Sequence, residues 1–312
     1  MRMVKPELVG IKTPDGLELP GLLYSTKAHQ SAAIYLHGNG SSSVFYGEPQ
    51  YSRVLAAELN RRGIAFLAFN NRGAHLIKKL TIRKGNIEKR RRFGMAYEKI
   101  RECVPDINGA VQFLKSRGYR KLYLVGASTG ANKICVYDHY QKRNPISGYI
   151  LLAGGDDVGI TYRSSGRTKF WRLLKEARRK IKAGQGGEII KELLPDTIFS
   201  YQGFFDLANP DGDYNTFPFY EVLRRVSLST RPLFRFYRKM RKPTLVVYGE
   251  QDEYAWGNVP KVIEILKSYQ PDFAYRIIPG ADHGFKGHRG ELGRIMAKWL
   301  ARPEARVIKK RS

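Results

Sequence analysis

Three side chains could together perform nucleophilic catalysis. Ser128 stands at the centre of Gly126-Ala127-Ser128-Thr129-Gly130, directly behind the apolar run Leu122-Tyr123-Leu124-Val125. A serine hydroxyl is a weak nucleophile at neutral pH, so a chain that uses one must present its oxygen beside a base, and a tight strand-to-helix turn does that. Small residues around a serine also occur in ordinary loops; here the strand before and the helical pattern after it (Ala131, Ile134, Cys135) single this one out. A base and an orienting acid follow downstream. Asp252 lies in Tyr248-Gly249-Glu250-Gln251-Asp252 and His283 in Gly280-Ala281-Asp282-His283-Gly284-Phe285, each just past an expected strand. Alone, His283 reads equally as a loop histidine and Asp252 as a turn former or helix cap. Of the rival acids, Glu250 falls at the strand end and Asp282 adjoins the histidine, which leaves Asp252 first and Glu253 second.

Attack on a carbonyl places negative charge on its oxygen, and preorganised backbone N–H groups answer that need. His37-Gly38-Asn39-Gly40, directly behind the strand Ala32 to Leu36, suits the role. The N–H groups of Asn39 and Thr129 are expected to converge as an oxyanion hole, with Thr129 helped by the positive end of the following helix. His37 reads as a structural loop histidine rather than a second base.

These residues must be carried by a rigid frame. Glu7 to Thr13 and Leu17 to Tyr24, joined by Pro14-Asp15-Gly16, have the pattern of an antiparallel hairpin at a sheet edge. Ala32 to Leu36, Ile64 to Phe69, Leu122 to Val125, Tyr149 to Leu152, Thr244 to Tyr248 and Tyr275 to Ile278 are short apolar runs of the kind that form buried parallel strands. Between them, Val104, Ile107, Val111 and Leu114, then Val262, Ile263 and Leu266, then Leu292, Ile295, Met296, Trp299 and Leu300 keep helical spacing. The alternation predicts an α/β fold with a mostly parallel sheet covered on both faces.

The expected organisation is a core over 1–154 and 241–302, a cap insertion over 155–240 and a basic tail over 303–312. Within the core, residues 74–102 read as a long basic loop. The cap reads as mainly helical and as lying over the carboxyl ends of the strands, where ligands bind in open α/β sheets. Its aromatic residues Phe204, Phe205, Phe217, Phe219 and Trp171 have two readings, the insertion's own core or the wall of an acyl or aryl pocket. Arg163 and Arg167 are candidates for recognising a carboxylate on an anionic substrate.

Composition bounds the rest. The chain has 312 residues, 42% of them apolar, enough to bury a large core and to exclude disorder throughout. Its 55 Lys and Arg against 28 Asp and Glu leave a net charge of +27. Eight basic residues and one acid fall between Lys78 and Arg92, and six basic residues between Arg231 and Lys242. This is either a solvated surface or an attraction for anionic substrate, nucleic acid or acidic membrane. No zinc-finger or RNP module is present to read nucleic acid specifically. Cys103 and Cys135 have neither Cys-x-x-Cys nor metal-ligand spacing, so neither disulfide nor metal is expected. Without an apolar leader or a run of ~18 apolar residues, the expected location is the cytoplasm.

Ser128, Asp252 and His283, in that order, with the His-Gly-Asn-Gly loop, resemble the α/β-hydrolase superfamily over almost the whole chain. Asn71-Arg72-Gly73 and Glu102-Cys103-Val104-Pro105-Asp106-Ile107 resemble a capped group that includes serine-aminopeptidase-like lipases and fungal siderophore esterases. The resemblance implies an eight-stranded, mostly parallel sheet flanked by helices. It also implies hydrolysis of a small-molecule ester, through an acyl-enzyme and without a cofactor. An amidase, peptidase or C–C bond hydrolase on the same three residues is the nearest alternative. A non-catalytic receptor or polyanion-binding protein is an alternative of a different class. A dinucleotide fold is disfavoured, since no Gly-x-Gly-x-x-Gly follows the early strands.

Overall fold

The structure, a computed structural model, describes residues 5–27, 30–40, 42–45 and 49–302. The expected tail over 303–312 lies outside the described residues.

Eight strands form one sheet. In chain order they are β1 (Glu7–Lys12), β2 (Glu18–Tyr24), β3 (Ser31–Leu36), β4 (Ile64–Phe69), then β7 (Lys121–Ala127), β8 (Ile146–Leu152), β9 (Thr244–Gly249) and β10 (Ala274–Ile278). Across the sheet the order is β1-β2-β4-β3-β7-β8-β9-β10. β1 pairs antiparallel with β2, and β2 with β4; every other pair is parallel. The burial of each strand follows from its place. β4 is buried at every residue, as a central strand covered on both faces must be, whereas β1 at the edge alternates exposed and buried.

The connections of the sheet are helices α1 (Pro49–Asn60), α2 (Cys103–Ser116), α3 (Thr129–Tyr140), α8 (Val259–Tyr269) and α9 (Arg289–Leu300). The apolar residues spaced along α2, α8 and α9 supply buried faces: Ile107, Val111 and Leu114; Val262, Ile263 and Leu266; Leu292, Met296 and Leu300. α8 starts where Asn258 accepts a hydrogen bond from the Lys261 N–H at 2.9 Å, with Pro260 in the first turn.

Residues 74–102 are not the structureless loop that the charge run suggests. They contain an antiparallel ribbon, β5 (Lys78–Lys84) and β6 (Ile87–Phe93), turned at Gly85-Asn86 with Gly85 at φ 57°. One side of the ribbon brings Leu80 and Ile82 against the core, and the Arg83 N–H donates to the Gly16 carbonyl at 2.8 Å.

Between β8 and β9 the chain leaves the sheet and forms α4 (Asp157–Ser165), α5 (Arg167–Lys182), α6 (Tyr201–Ala208) and the short α7 (Phe219–Val222). Within this insertion, expected to be mainly helical, residues 188–194 hold only a 3-10 turn at Lys191–Leu193 beside a bridge from Ile189 to Ser200. The buried residues of this insertion and those of the sheet form one continuous apolar cluster. Polar ties join the two as well: Asp206 accepts from the Ile100 N–H at 2.7 Å and the Tyr214 hydroxyl donates to Glu98 at 2.9 Å.

The loop after β4 explains the two motifs that accompany Ser128, Asp252 and His283 in the sequence. Arg72 donates through its backbone N–H to Asp106 Oδ2 at 2.8 Å, and through Nε and Nη2 to Asp106 Oδ1 at 2.9 and 2.7 Å. Both side chains are buried, so a planar guanidinium on a carboxylate fixes the β4 loop to the start of α2. Beneath α3, Lys133 is fully buried and its ammonium meets Glu98 at 2.7 Å.

Candidate active site

The residues with chemical promise come together at the carboxyl ends of parallel strands of the one sheet. Asn39 follows β3, Ser128 follows β7, Asp252 follows β9 and His283 follows β10. Ser128 has φ 55° and ψ −128°, a left-handed position that a non-glycine residue holds only when its surroundings enforce it. The enforcement is visible. Its N–H donates to the Leu152 carbonyl at 2.8 Å, and its carbonyl accepts from the Ala131 N–H at 2.8 Å, closing the first turn of α3. Gly126 must lack a side chain because a Cβ there would lie 2.2 Å from the Gly130 carbonyl oxygen, where the new helix crosses the strand.

His283 and Asp252 form a hydrogen-bonded pair, Nδ1 to Oδ1 at 2.9 Å. The Asp252 side chain is 1% exposed and that of His283 16% exposed, so the acid is sealed behind the ring. The Tyr254 N–H also donates to Asp252 Oδ1 at 2.9 Å, and the His283 N–H donates to Glu253 at 3.1 Å. Glu253, the second candidate acid, thus meets the backbone of His283, and Asp252 meets its ring. Burial alone lowers the basicity of His283, but the hydrogen bond and charge of Asp252, with the charges of Glu253 and Asp157, outweigh it, so its pKa is raised above 6.5.

A cavity of about 340 Å³ joins these groups, lined by Ser128, His283, Asn39, Thr129, His37 and Asp157 with Tyr35, Tyr51, Tyr254 and Ile160. The loop after β3 presses against the serine: a Cβ on Gly38 would lie 2.9 Å from that of Ser128. Thr129 is fully buried at the first position of α3, where backbone N–H groups have no partner within the helix. His37 is buried, its Nδ1 hydrogen-bonds the Gly38 carbonyl at 2.8 Å, and burial together with the charge of Lys133 holds its pKa well below 6.5. A neutral histidine tied to its own loop matches a structural role.

The aromatic and basic residues of the insertion stand elsewhere. Phe204, Phe217 and Phe219 are buried in the core, Phe217 against Gly154 and stacked with Phe219 at 6.0 Å between ring centroids. Phe205 is half-buried with the Arg178 guanidinium over its ring, and Trp171 is exposed on α5. Arg163 lies over the Trp256 ring, and Arg163 and Arg167 are both exposed. None of these seven lines the cavity. Burial wins here because the insertion must bury an apolar face against the sheet, and its aromatic run joins the single cluster the two share. The insertion reaches the cavity through Asp157 and Ile160 of α4 instead. Tyr254, whose ring meets that of His283 edge-on at 4.7 Å, is a further cavity residue that sequence reasoning missed. Its only signal was its place two residues past Asp252. Among the described residues, no cluster of His, Cys, Asp and Glu could hold a metal ion, and no helix is long and apolar enough to cross a membrane.

The strand order and the serine turn are those of the α/β-hydrolase fold. The chain belongs to the family described as "Protein of unknown function (DUF1749)", which matches residues 94–301 and so includes Ser128, Asp252 and His283 but not Asn39. Three solved structures illustrate the likeness. Est1E from Butyrivibrio proteoclasticus, with ferulic acid bound, is 17% identical over 94% of this chain and 100% of its own, with a TM-score of 0.61. A soluble variant of monoglyceride lipase from Saccharomyces cerevisiae, in complex with a substrate analog, is 17% identical over 96% of each chain, with a TM-score of 0.58. The α/β hydrolase GrgF from Penicillium sp. sh18 is 18% identical over 95% of this chain and 96% of its own, with a TM-score of 0.57. At such identities the likeness is one of fold. No curated protein sequence matches the chain.

Proposed function

We propose that this protein is a serine hydrolase that cleaves carboxylic esters through an acyl-enzyme on Ser128. The observation that carries the reading is the convergence on one cavity of a serine held at positive φ and a histidine paired with a buried aspartate. The similar folds include an esterase domain and a monoglyceride lipase, which point the same way.

Ser128 Oγ attacks the acyl carbon as His283 Nε2 takes its proton, while Nδ1–H stays donated to Asp252. The carbonyl oxygen becomes an oxyanion facing the Asn39 and Thr129 N–H groups. The C–O bond to the leaving alcohol then breaks, and the imidazolium returns the proton to that oxygen. Water repeats the sequence on the acyl-enzyme, giving the free acid and restoring Ser128. Asp252 stabilises the imidazolium formed in each half, consistent with the raised pKa of His283.

A fluorophosphonate probe tests the assignment directly. The native chain should label to one equivalent and hydrolyse nitrophenyl esters, and Ser128→Ala should do neither, with turnover reduced by about 10⁴-fold or more. Equal labelling of native and Ser128→Ala chains would sink the reading.

A further inference from the structure

The reaction above gives the Asp157 carboxyl of the cavity no task. Asp157 begins α4, yet it does not cap that helix: Asp156 does, accepting from the Gly159 N–H at 2.8 Å and, from the other side, the Tyr220 N–H at 2.7 Å. Freed from capping, the Asp157 carboxyl faces the elbow. It accepts from the Thr129 hydroxyl, 3.2 Å from each oxygen, and from Asn132 Nδ2 at 3.1 Å. These are two donors for a group with about four acceptor sites, so capacity remains for a bound molecule. Among the described residues no lysine or arginine forms an ion pair with Asp157, and none lines the cavity.

Three chemistries could meet a carboxyl in this position, and charge separates them. An anionic substrate would bring a second carboxylate beside the first. A cationic one would bring positive charge into the cavity where His283 becomes an imidazolium in each half of the reaction. A neutral hydroxyl pays neither penalty and can donate to the carboxyl in either protonation state. Both states are accessible, because burial, with the nearby charges of Asp156 and Glu98, outweighs the Thr129 hydrogen bond and the Lys133 charge and raises the pKa of Asp157 to about 7.

We propose that Asp157 forms a subsite for a hydroxyl group beside the scissile bond, which makes neutral hydroxylated esters the preferred substrates. The proposal rests on the ester-hydrolase reading and deepens it. It also reverses the expectation that Arg163 and Arg167 select an anionic substrate, since both lie off the cavity and the acid lies on it.

Matched ester pairs that differ by one hydroxyl provide the test: hydroxyethyl against propyl butanoate for the alcohol side, and nitrophenyl β-hydroxybutanoate against nitrophenyl isovalerate for the acyl side. In the native protein one pair should favour the hydroxylated member by about tenfold or more in kcat/KM, the scale of a hydrogen bond to a charged group. Asp157→Ala should bring that ratio toward one, and Asp157→Asn, which keeps an acceptor oxygen, should retain part of it. A purely structural role would slow both members alike and leave the ratio unmoved. Butyrylcholine and a succinate monoester should be poorer substrates than hydroxyethyl butanoate. Ratios near one for both native pairs, a ratio unchanged in Asp157→Ala, or a preference for the cationic or anionic ester would each overturn the subsite alone. Absence of all ester turnover together with absence of fluorophosphonate labelling would overturn the hydrolase reading and the subsite with it.

Discussion

The cavity at Ser128 and the β5–β6 ribbon carry opposite electrostatic characters. The ribbon exposes Lys79, Arg83, Lys84, Lys89, Arg90, Arg91 and Arg92, and its register sets Lys79 opposite Arg92, a like-charge pairing that disfavours the strands. Within the ribbon the ion pair is Arg83 with Glu88, both exposed. The cavity has an acid, tyrosines and two histidines, and no lysine or arginine among its described lining residues. Net charge is therefore a property of this molecule's surface, and solvent and salt screen it there. Buried groups answer to their immediate partners instead. His283 is held by Asp252, Lys133 by Glu98, and Arg72 by Asp106.

Asp252→Asn gives the largest expected contrast between the two regions. It removes the charge that stabilises the imidazolium and should lower kcat by about 10⁴-fold, the scale seen when a triad acid loses its charge. A measured fall of less than tenfold would make Glu253 the better candidate acid. Next in size is Lys133→Met, which leaves the buried Glu98 carboxylate without its cation and should cost about 3–5 kcal/mol of stability by denaturant unfolding. A cost below about 1 kcal/mol, the range of an exposed pair, would erase the distinction between buried and surface charge.

The pH profile sharpens the comparison further. His283 must be neutral to accept the serine proton, and its raised pKa means that kcat/KM should fall, about tenfold per pH unit, on an acidic limb centred above pH 6.5. Because the pair is buried, added salt should move that limb little, and a strong salt dependence would show surface charge reaching the site. The smallest effect on turnover is expected from neutralising Arg90, Arg91 and Arg92 together with glutamine. Hydrolysis of a neutral ester should stay within about twofold, while retention on heparin should be lost at lower salt. Unchanged retention would place the polyanion affinity elsewhere on the chain.

The inner strands were readable because each is a short apolar run whose burial on both faces demands that composition; β4 spans Ile64–Phe69 as its apolar run does. Ser128, Asp252 and His283 were readable because each follows such a run. The ribbon was not, since the charge run of Ile87–Phe93 masks the short alternation of Leu80 and Ile82, although Gly85-Asn86 between Lys84 and Ile87 is a two-residue hairpin signal. The aromatic run of the insertion left two readings open for a physical reason: core and pocket wall use the same side chains, and only their neighbours distinguish them. Asp157 gave no signal, because two consecutive aspartates before a helix look alike as caps.

By itself, then, the sequence determined the order of the sheet's strands, the turn that exposes Ser128, and which acid and base could serve it. Those properties are local, fixed by backbone sterics and by the period of apolar residues. The tertiary structure decided that Asp156 caps α4 while Asp157 faces the cavity, that the insertion's phenylalanines fill a core, and that the basic residues of a +27 chain stay off the described walls of the site. Those properties depend on which distant segments meet, and packing and burial settle them only once the chain has folded.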